Sequence, residues 1–351
     1  MRRVGVPRSA CRRAAVVVLA LGLAALPAAC STDPAAGAAP DPAAPPTSDV
    51  LAFHAPGSTV SGTPADPASP DDVSGNGSGD GAALDPGEAA LVFDRPVDLM
   101  VPDDLAADDE APVVIVLHGF TADRNVQRIY FGFDTPARER GVIMVYADGT
   151  ADRDGSRFWN ATDACCNLYG SDVDDVAYLS AVVDFVATVH PIDRRRVYLV
   201  GHSNGGFMSH RMACDRADLF AAIVSLAGAM HLDPDDCRPS EPVDVVEAHG
   251  TLDDVIRYDG GTLFMAPYPS AERTVADWAE FDHCTGGRVD TRTLDLDTRV
   301  RGAETQVSEY EGCPDGGDVE LWTIEGAGHI PTIDAGFAET VLDWLLAHPD
   351  A

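Results

Sequence analysis

Five consecutive apolar residues, Val113-Val114-Ile115-Val116-Leu117, run directly into His118-Gly119. An unbroken run of this length, without polar alternation, predicts a strand covered on both faces, as in a parallel sheet. Further apolar runs predict strands at 143–146, 197–200, 222–227, 243–248 and 319–324. Between them the apolar spacing becomes helical. Val176, Leu179, Val183 and Val186 form one stripe, with Asp172 or Asp174 available as N-cap, and Phe337, Val341, Trp344 and Leu345 mark a C-terminal helix. Strands alternating with helices from residue 89 to 351 predict one α/β domain with a mostly parallel, doubly wound sheet. Ligands in such sheets sit beyond the carboxyl ends of the strands, so residues there are the first candidates for chemistry.

The N-terminal part departs from this pattern. Arg2, Arg3, Arg8, Arg12 and Arg13 precede an uncharged apolar run from Ala14 to Ala29, which predicts a secretory signal over residues 1–29. The run is too short and Ala-rich for a permanent span, and no later segment reaches the roughly 18–20 apolar residues that spanning needs. Leu26-Pro27-Ala28-Ala29-Cys30 has the shape of a bacterial lipoprotein processing site, with Cys30 as the lipid-bearing residue and Pro27 where an aliphatic residue is usual. Either a released protein or one lipid-anchored to the outer face of the membrane is expected. Residues 30–88 are dominated by Pro, Ala, Gly, Ser and Asp. Such a segment buries too little surface to offset its conformational entropy, and it reads as a disordered tether.

Composition adds an exclusion. The 351 residues carry 57 acidic and 24 basic side chains, a net charge of −33. Residues 89–351 alone hold 48 acids and 19 arginines, so the acidity belongs to the α/β body. A protein so charged is repelled by phosphate backbones and anionic headgroups, and no nucleic-acid partner is expected. A monomer acting on small or oligomeric neutral molecules fits that surface.

The strongest chemical pattern follows the strand at 197–200. Gly201-His202-Ser203-Asn204-Gly205 matches the G-x-S-x-G nucleophile elbow, where small residues two either side of Ser permit a tight strand-to-helix turn. The turn would lift the Ser203 hydroxyl above the sheet and aim a helix N-terminus at the site. A Ser hydroxyl needs a base, and the base needs an acid to orient it. In this arrangement the chain order is Ser, acid, His. His249-Gly250-Thr251-Leu252-Asp253-Asp254 supplies carboxylates after the strand at 243–248, and Gly326-Ala327-Gly328-His329 supplies a histidine after the strand at 319–324. His329 is therefore the candidate base, while local chemistry leaves Asp253 and Asp254 tied. His118 and His249, each before a Gly at a strand end, read as structural residues; His202 lies inside the elbow and His210 on the helix behind it. The backbone N–H groups of Asn204 and Phe120 are the candidate oxyanion donors.

Leu117-His118-Gly119-Phe120-Thr121, Tyr146-Ala147-Asp148-Gly149, Phe158-Trp159-Asn160-Ala161 with Cys165-Cys166, Asp174-Asp175-Val176, Gly201 to Gly206 and His249-Gly250-Thr251-Leu252-Asp253 together resemble the secreted esterases grouped with polyhydroxybutyrate depolymerases and feruloyl or acetylxylan esterases. The resemblance covers about residues 95–347 and implies an α/β-hydrolase fold and serine ester hydrolysis through an acyl-enzyme; with no CxxC spacing for zinc, no cofactor or metal is expected. It favours Asp253 over Asp254 as the acid and places Trp159, like His202, near the substrate. Ile256-Arg257-Tyr258 departs from the Val-Pro-Tyr usual there, which puts substrate contacts at that point in doubt. An acyltransferase using the same triad, and a non-enzymatic binding lipoprotein, are the rival readings.

Beyond Cys11 and Cys30, six cysteines remain: Cys165, Cys166, Cys214, Cys237, Cys284 and Cys313. Their even number fits disulfides in an oxidising compartment. The resemblance supports pairing Cys284 with Cys313. Adjacent Cys165 and Cys166 are expected to pair with Cys214 and Cys237, in unassigned order. The Asp clusters at 233–236 and 295–297 read as solvated loops.

Overall fold

Nine strands, β1 (Asp98–Met100), β2 (Ala111–Leu117), β3 (Ile143–Ala147), β4 (Ile192–His202), β5 (Ala222–Leu226), β6 (Asp244–Gly250), β7 (Arg288–Leu294), β8 (Thr305–Tyr310) and β9 (Val319–Ile324), form one sheet in the order β1-β3-β2-β4-β5-β6-β9-β8-β7. The computed structural model describes residues 84 and 86–350, which fall within one compact unit. The expected signal, Cys30 and all but the last residues of the tether lie outside the described residues. The first helix, α1 (Pro86–Asp94), spans the boundary drawn at residue 88.

The sheet core is parallel: β3, β2, β4, β5, β6 and β9 run side by side in one direction. The edges are antiparallel, β1 on β3 at one side and the β9-β8-β7 meander at the other. The apolar run of β2 divides between two cores, as period-two geometry requires. Val113, Ile115 and Leu117 face one core, with Leu179 and Val182 of α4 (Asp175–Val189), Phe207 of α5 (Asn204–Asp215) and Trp278 of α6 (Ala271–Phe281). Val114 and Val116 face the other, with Phe131 of α2 (Arg124–Phe131), Ala137 of α3 (Asp134–Glu139) and Phe337 and Val341 of α7 (Ala335–Ala347). Of the two capping candidates for α4, Asp174 takes the role, accepting from the Ala177 N–H at 2.9 Å. Among the described residues no helix is long and apolar enough to cross a membrane.

The disulfides correct one expectation. Cys284 pairs with Cys313, closing the β7–β8 excursion, but Cys214 pairs with Cys237 and Cys165 with its neighbour Cys166. Cys214 lies in the last turn of α5, and Cys237 follows the short turn Pro234–Asp236; their Cα atoms stand 4.9 Å apart, within ordinary bridging distance. Each thus has its partner, leaving Cys165 and Cys166 to one another.

Candidate active site

Strand β4 ends at His202, and α5 starts at Asn204, leaving one residue to reverse direction. That residue is Ser203, at φ 55° and ψ −118°, a conformation disfavoured for any side chain larger than hydrogen. Neighbouring glycines make the turn possible. A Cβ on Gly201 would lie 2.1 Å from the Gly205 carbonyl oxygen, and one on Gly205 would lie 2.3 Å from that of Leu117. The Ser203 hydroxyl does not cap α5, so it is left for another partner.

That partner is His329. Ser203 Oγ donates to His329 Nε2 at 2.9 Å, and His329 Nδ1 donates to Asp253 Oδ2 at 2.7 Å. The loops carrying acid and base are tied together by hydrogen bonds. Leu252 N–H donates to the Ala327 carbonyl at 2.9 Å, and Gly326 N–H to the Thr251 hydroxyl at 2.9 Å. A Cβ on Gly250 would meet the Ala327 oxygen at 2.4 Å, which accounts for the glycine after His249. Asp253 is buried, and its second oxygen accepts from the Val255 and Ile256 N–H groups at 2.8 and 2.9 Å. Burial works to raise its pKa, but hydrogen bonds from His249 and His329 hold it well below the usual carboxylate range. Asp254 is exposed and takes no part.

A Cβ on Gly119 would lie 3.3 Å from His202 Nδ1 and 3.4 Å from Ser203 Cβ, so the chain just before Phe120 runs close to the nucleophile. The Asn204 amide side chain is pinned from both ends to the Trp159 backbone, at 2.7 and 3.0 Å, which holds the first turn of α5 in place. The Phe120 ring meets Phe264 edge-on at 6.2 Å. Phe264 and Met265 form the exposed tip of a hairpin, Gly261–Leu263 with Ala266–Tyr268, that sequence patterning did not reveal.

Two residues expected near substrate are buried. Trp159 is fully buried, its indole N–H donating to the His118 carbonyl at 3.0 Å and its backbone held by the Asn204 side chain. His202 is buried between the Tyr130 and His329 rings, and its Nε2 donates to the His329 carbonyl at 2.9 Å. Burial, then the neighbouring His329, pushes its pKa down to about 4, so it stays neutral and braces the base. His118 is structural, as expected: its Nε2 accepts from the Gly149 N–H at 2.9 Å.

Known proteins carry the same arrangement of strands and helices. The acetyl xylan esterase from Aspergillus awamori superposes with a TM-score of 0.50 over 71% of this chain and 93% of that one, at 16% identity. This chain has the α/β-hydrolase fold. The model of the prolyl oligopeptidase family matches residues 131–266 of this chain, a stretch that holds Ser203 and Asp253 and stops short of His329. Its sequence is similar to feruloyl esterase B of Piromyces equi, 26% identical over 67% of this chain and 42% of that protein. It is also similar to the putative esterase NocK of Nocardia uniformis subsp. tsuyamanensis, 28% identical over 64% of this chain and 66% of that protein. The chain thus spans less than two thirds of either relative's length.

Proposed function

We propose that the protein is an exported serine carboxylic-ester hydrolase working through an acyl-enzyme. The observation that carries this reading is the unbroken line of hydrogen bonds from Ser203 through His329 to Asp253 at the carboxyl ends of β4, β6 and β9. In the proposed reaction His329 takes the Ser203 proton as the hydroxyl attacks the ester carbonyl, and Asp253 stabilises the imidazolium that forms. The N–H groups of Phe120 and Asn204 receive the oxyanion; His329 returns the proton to the departing alcohol, and water then releases the acid. Similarity to a feruloyl esterase and to a further esterase supports the ester class. The edge-on pair Phe120–Phe264 beside the oxyanion position favours an apolar or aromatic acyl group. Export rests on the signal-like residues 1–29 and on three disulfides, which suit an oxidising compartment.

Ser203→Ala is expected to abolish hydrolysis of p-nitrophenyl butyrate with the circular dichroism spectrum unchanged, and to abolish labelling by a fluorophosphonate. Retained turnover in that variant would sink the assignment.

A further inference from the structure

Beyond the triad the line of polar contacts continues inward. Asp253 Oδ2 lies 3.4 Å from His249 Nε2, and that nitrogen also meets the Ile256 carbonyl oxygen at 2.8 Å. His249 Nδ1 meets Glu247 Oε1 at 2.8 Å; Glu247 Oε2 meets His210 Nε2 at 2.9 Å; and His210 Nδ1 meets the indole nitrogen of Trp278 at 3.0 Å. His210, Glu247 and His249 are all buried.

Protonation along this line follows from its far end. An indole nitrogen can only donate, so His210 Nδ1 is the acceptor and its Nε2–H donates to Glu247. Each nitrogen of His249 faces acceptor oxygens, a carbonyl and a carboxylate on one side and the Glu247 carboxylate on the other, and the bonds from His210 and His249 outweigh burial and hold Glu247 below the usual carboxylate range, hence ionised. With Glu247 ionised, both nitrogens donate. We propose that His249 is a permanently protonated imidazolium, held between Glu247 and Asp253, that serves as a positioning residue for the Asp253–His329 pair.

This role rests on the triad reading above. The groups facing His249 are Glu247 on its own strand, Asp253 and Tyr258 in the following loop, His210 on α5 behind Glu247, and His202 and His329 across the site. Burial alone would lower the His249 pKa, but the bonds to Asp253 and Glu247 reverse this and push it up to about 10. The three charges give Asp253 a cationic neighbour while the Glu247–His249 pair stays neutral as a unit. Asp253 is thereby kept ionised and fixed, with one oxygen turned to His329.

The first test reads the cation directly. In the wild-type protein, nitrogen–proton correlation spectra of the imidazoles should show His249 with both ring nitrogens protonated from mildly acidic to mildly alkaline pH. A single ring proton at neutral pH would overturn the proposal whatever the activity. His249→Gln removes the cation, so the protonated base is less opposed. The acid limb of kcat/KM for p-nitrophenyl butyrate should move up by about one pH unit. The turnover number should fall about ten- to a hundredfold with KM little changed, since a positioned base is lost only in part. The double variant Glu247→Gln/His249→Gln deletes a neutral pair and should return the limb toward wild type. A limb unmoved in the single variant, or one equally displaced in the double, overturns the proposal. Failure of the triad reading would show instead as turnover in Ser203→Ala, with the spectra of His249 unaffected.

Discussion

The two ends of the Ser203–His329–Asp253 line are held by different physics. At Ser203 the restraint is steric: a positive φ, glycines on either side, and carbonyl oxygens a little over 2 Å from where their side chains would begin. At Asp253 it is electrostatic: two backbone N–H groups, His329, and the buried His249–Glu247 pair behind it. A steric restraint tolerates no added atom but is indifferent to pH. An electrostatic one tolerates isosteric change yet depends on every proton in the line.

The largest effect should come from breaking the steric end. Gly205→Ala places a methyl 2.3 Å from the Leu117 carbonyl, where neither backbone can yield. A loss of about 3 kcal/mol or more, read as a large drop in Tm, is expected. A melting temperature close to wild type would mean the elbow is softer than its geometry.

Next comes the electrostatic end. Asp253→Asn keeps the shape but removes the acceptor charge that fixes His329, and kcat should fall by roughly a thousandfold or more, as the role of a triad acid predicts. Asp254→Asn, one residue on and exposed, should stay within about twofold. Comparable losses in the two variants would dissolve the distinction between the acid and its neighbour.

The smallest effect sharpens the comparison through a buried carboxylate that lacks a cation. Asp282, which caps α6, is fully buried; one oxygen accepts from the Val243 N–H at 3.2 Å and the other has no partner among the described residues. Burial pushes its pKa up to about 8. The folded state therefore binds this proton where the unfolded chain has released it, and its contribution to stability is lost as pH rises from the ordinary carboxylate range through about 8. Asp282→Asn should match wild type in thermal melts below the ordinary carboxylate range and gain on it progressively as pH rises to about 8. An equal Tm difference at both ends would show that the group is not protonated in the native protein.

Much of the fold was legible because apolar periodicity reports local geometry. The run at 113–117 could only be a strand covered on both faces, and the strands expected at 143–146, 222–227 and 319–324 stand within a residue of those observed. Edge strands β1 and β7 were harder to read: the first is three residues long, and the second is exposed along most of its length and carries no apolar run. At the site, Ser203 and His329 followed from chain order. His249 read as an ordinary strand-end histidine, since its meaning lies in contacts with Glu247, two residues back, and Asp253, four residues on, which share a buried space only after the loop folds over. The hairpin tip at Phe264 and Met265 has no alternation to announce it, and the vicinal pairing of Cys165 depends on where Cys214 and Cys237 meet.

By itself, then, the amino-acid order determined which segments become buried strands, where a glycine-framed serine must turn, and which histidine follows the last strand. These are properties of a few neighbouring residues, set by sterics and by the hydrophobic effect at fixed period. Only the tertiary structure decided that Trp159 and His202 are buried, that Asp253 rather than Asp254 faces the base, and that a buried Glu247–His249 pair stands behind it. Those outcomes turn on burial and on the polarity of hydrogen-bond partners drawn from distant strands, and charge in a low-dielectric interior has no value until its neighbours are in place.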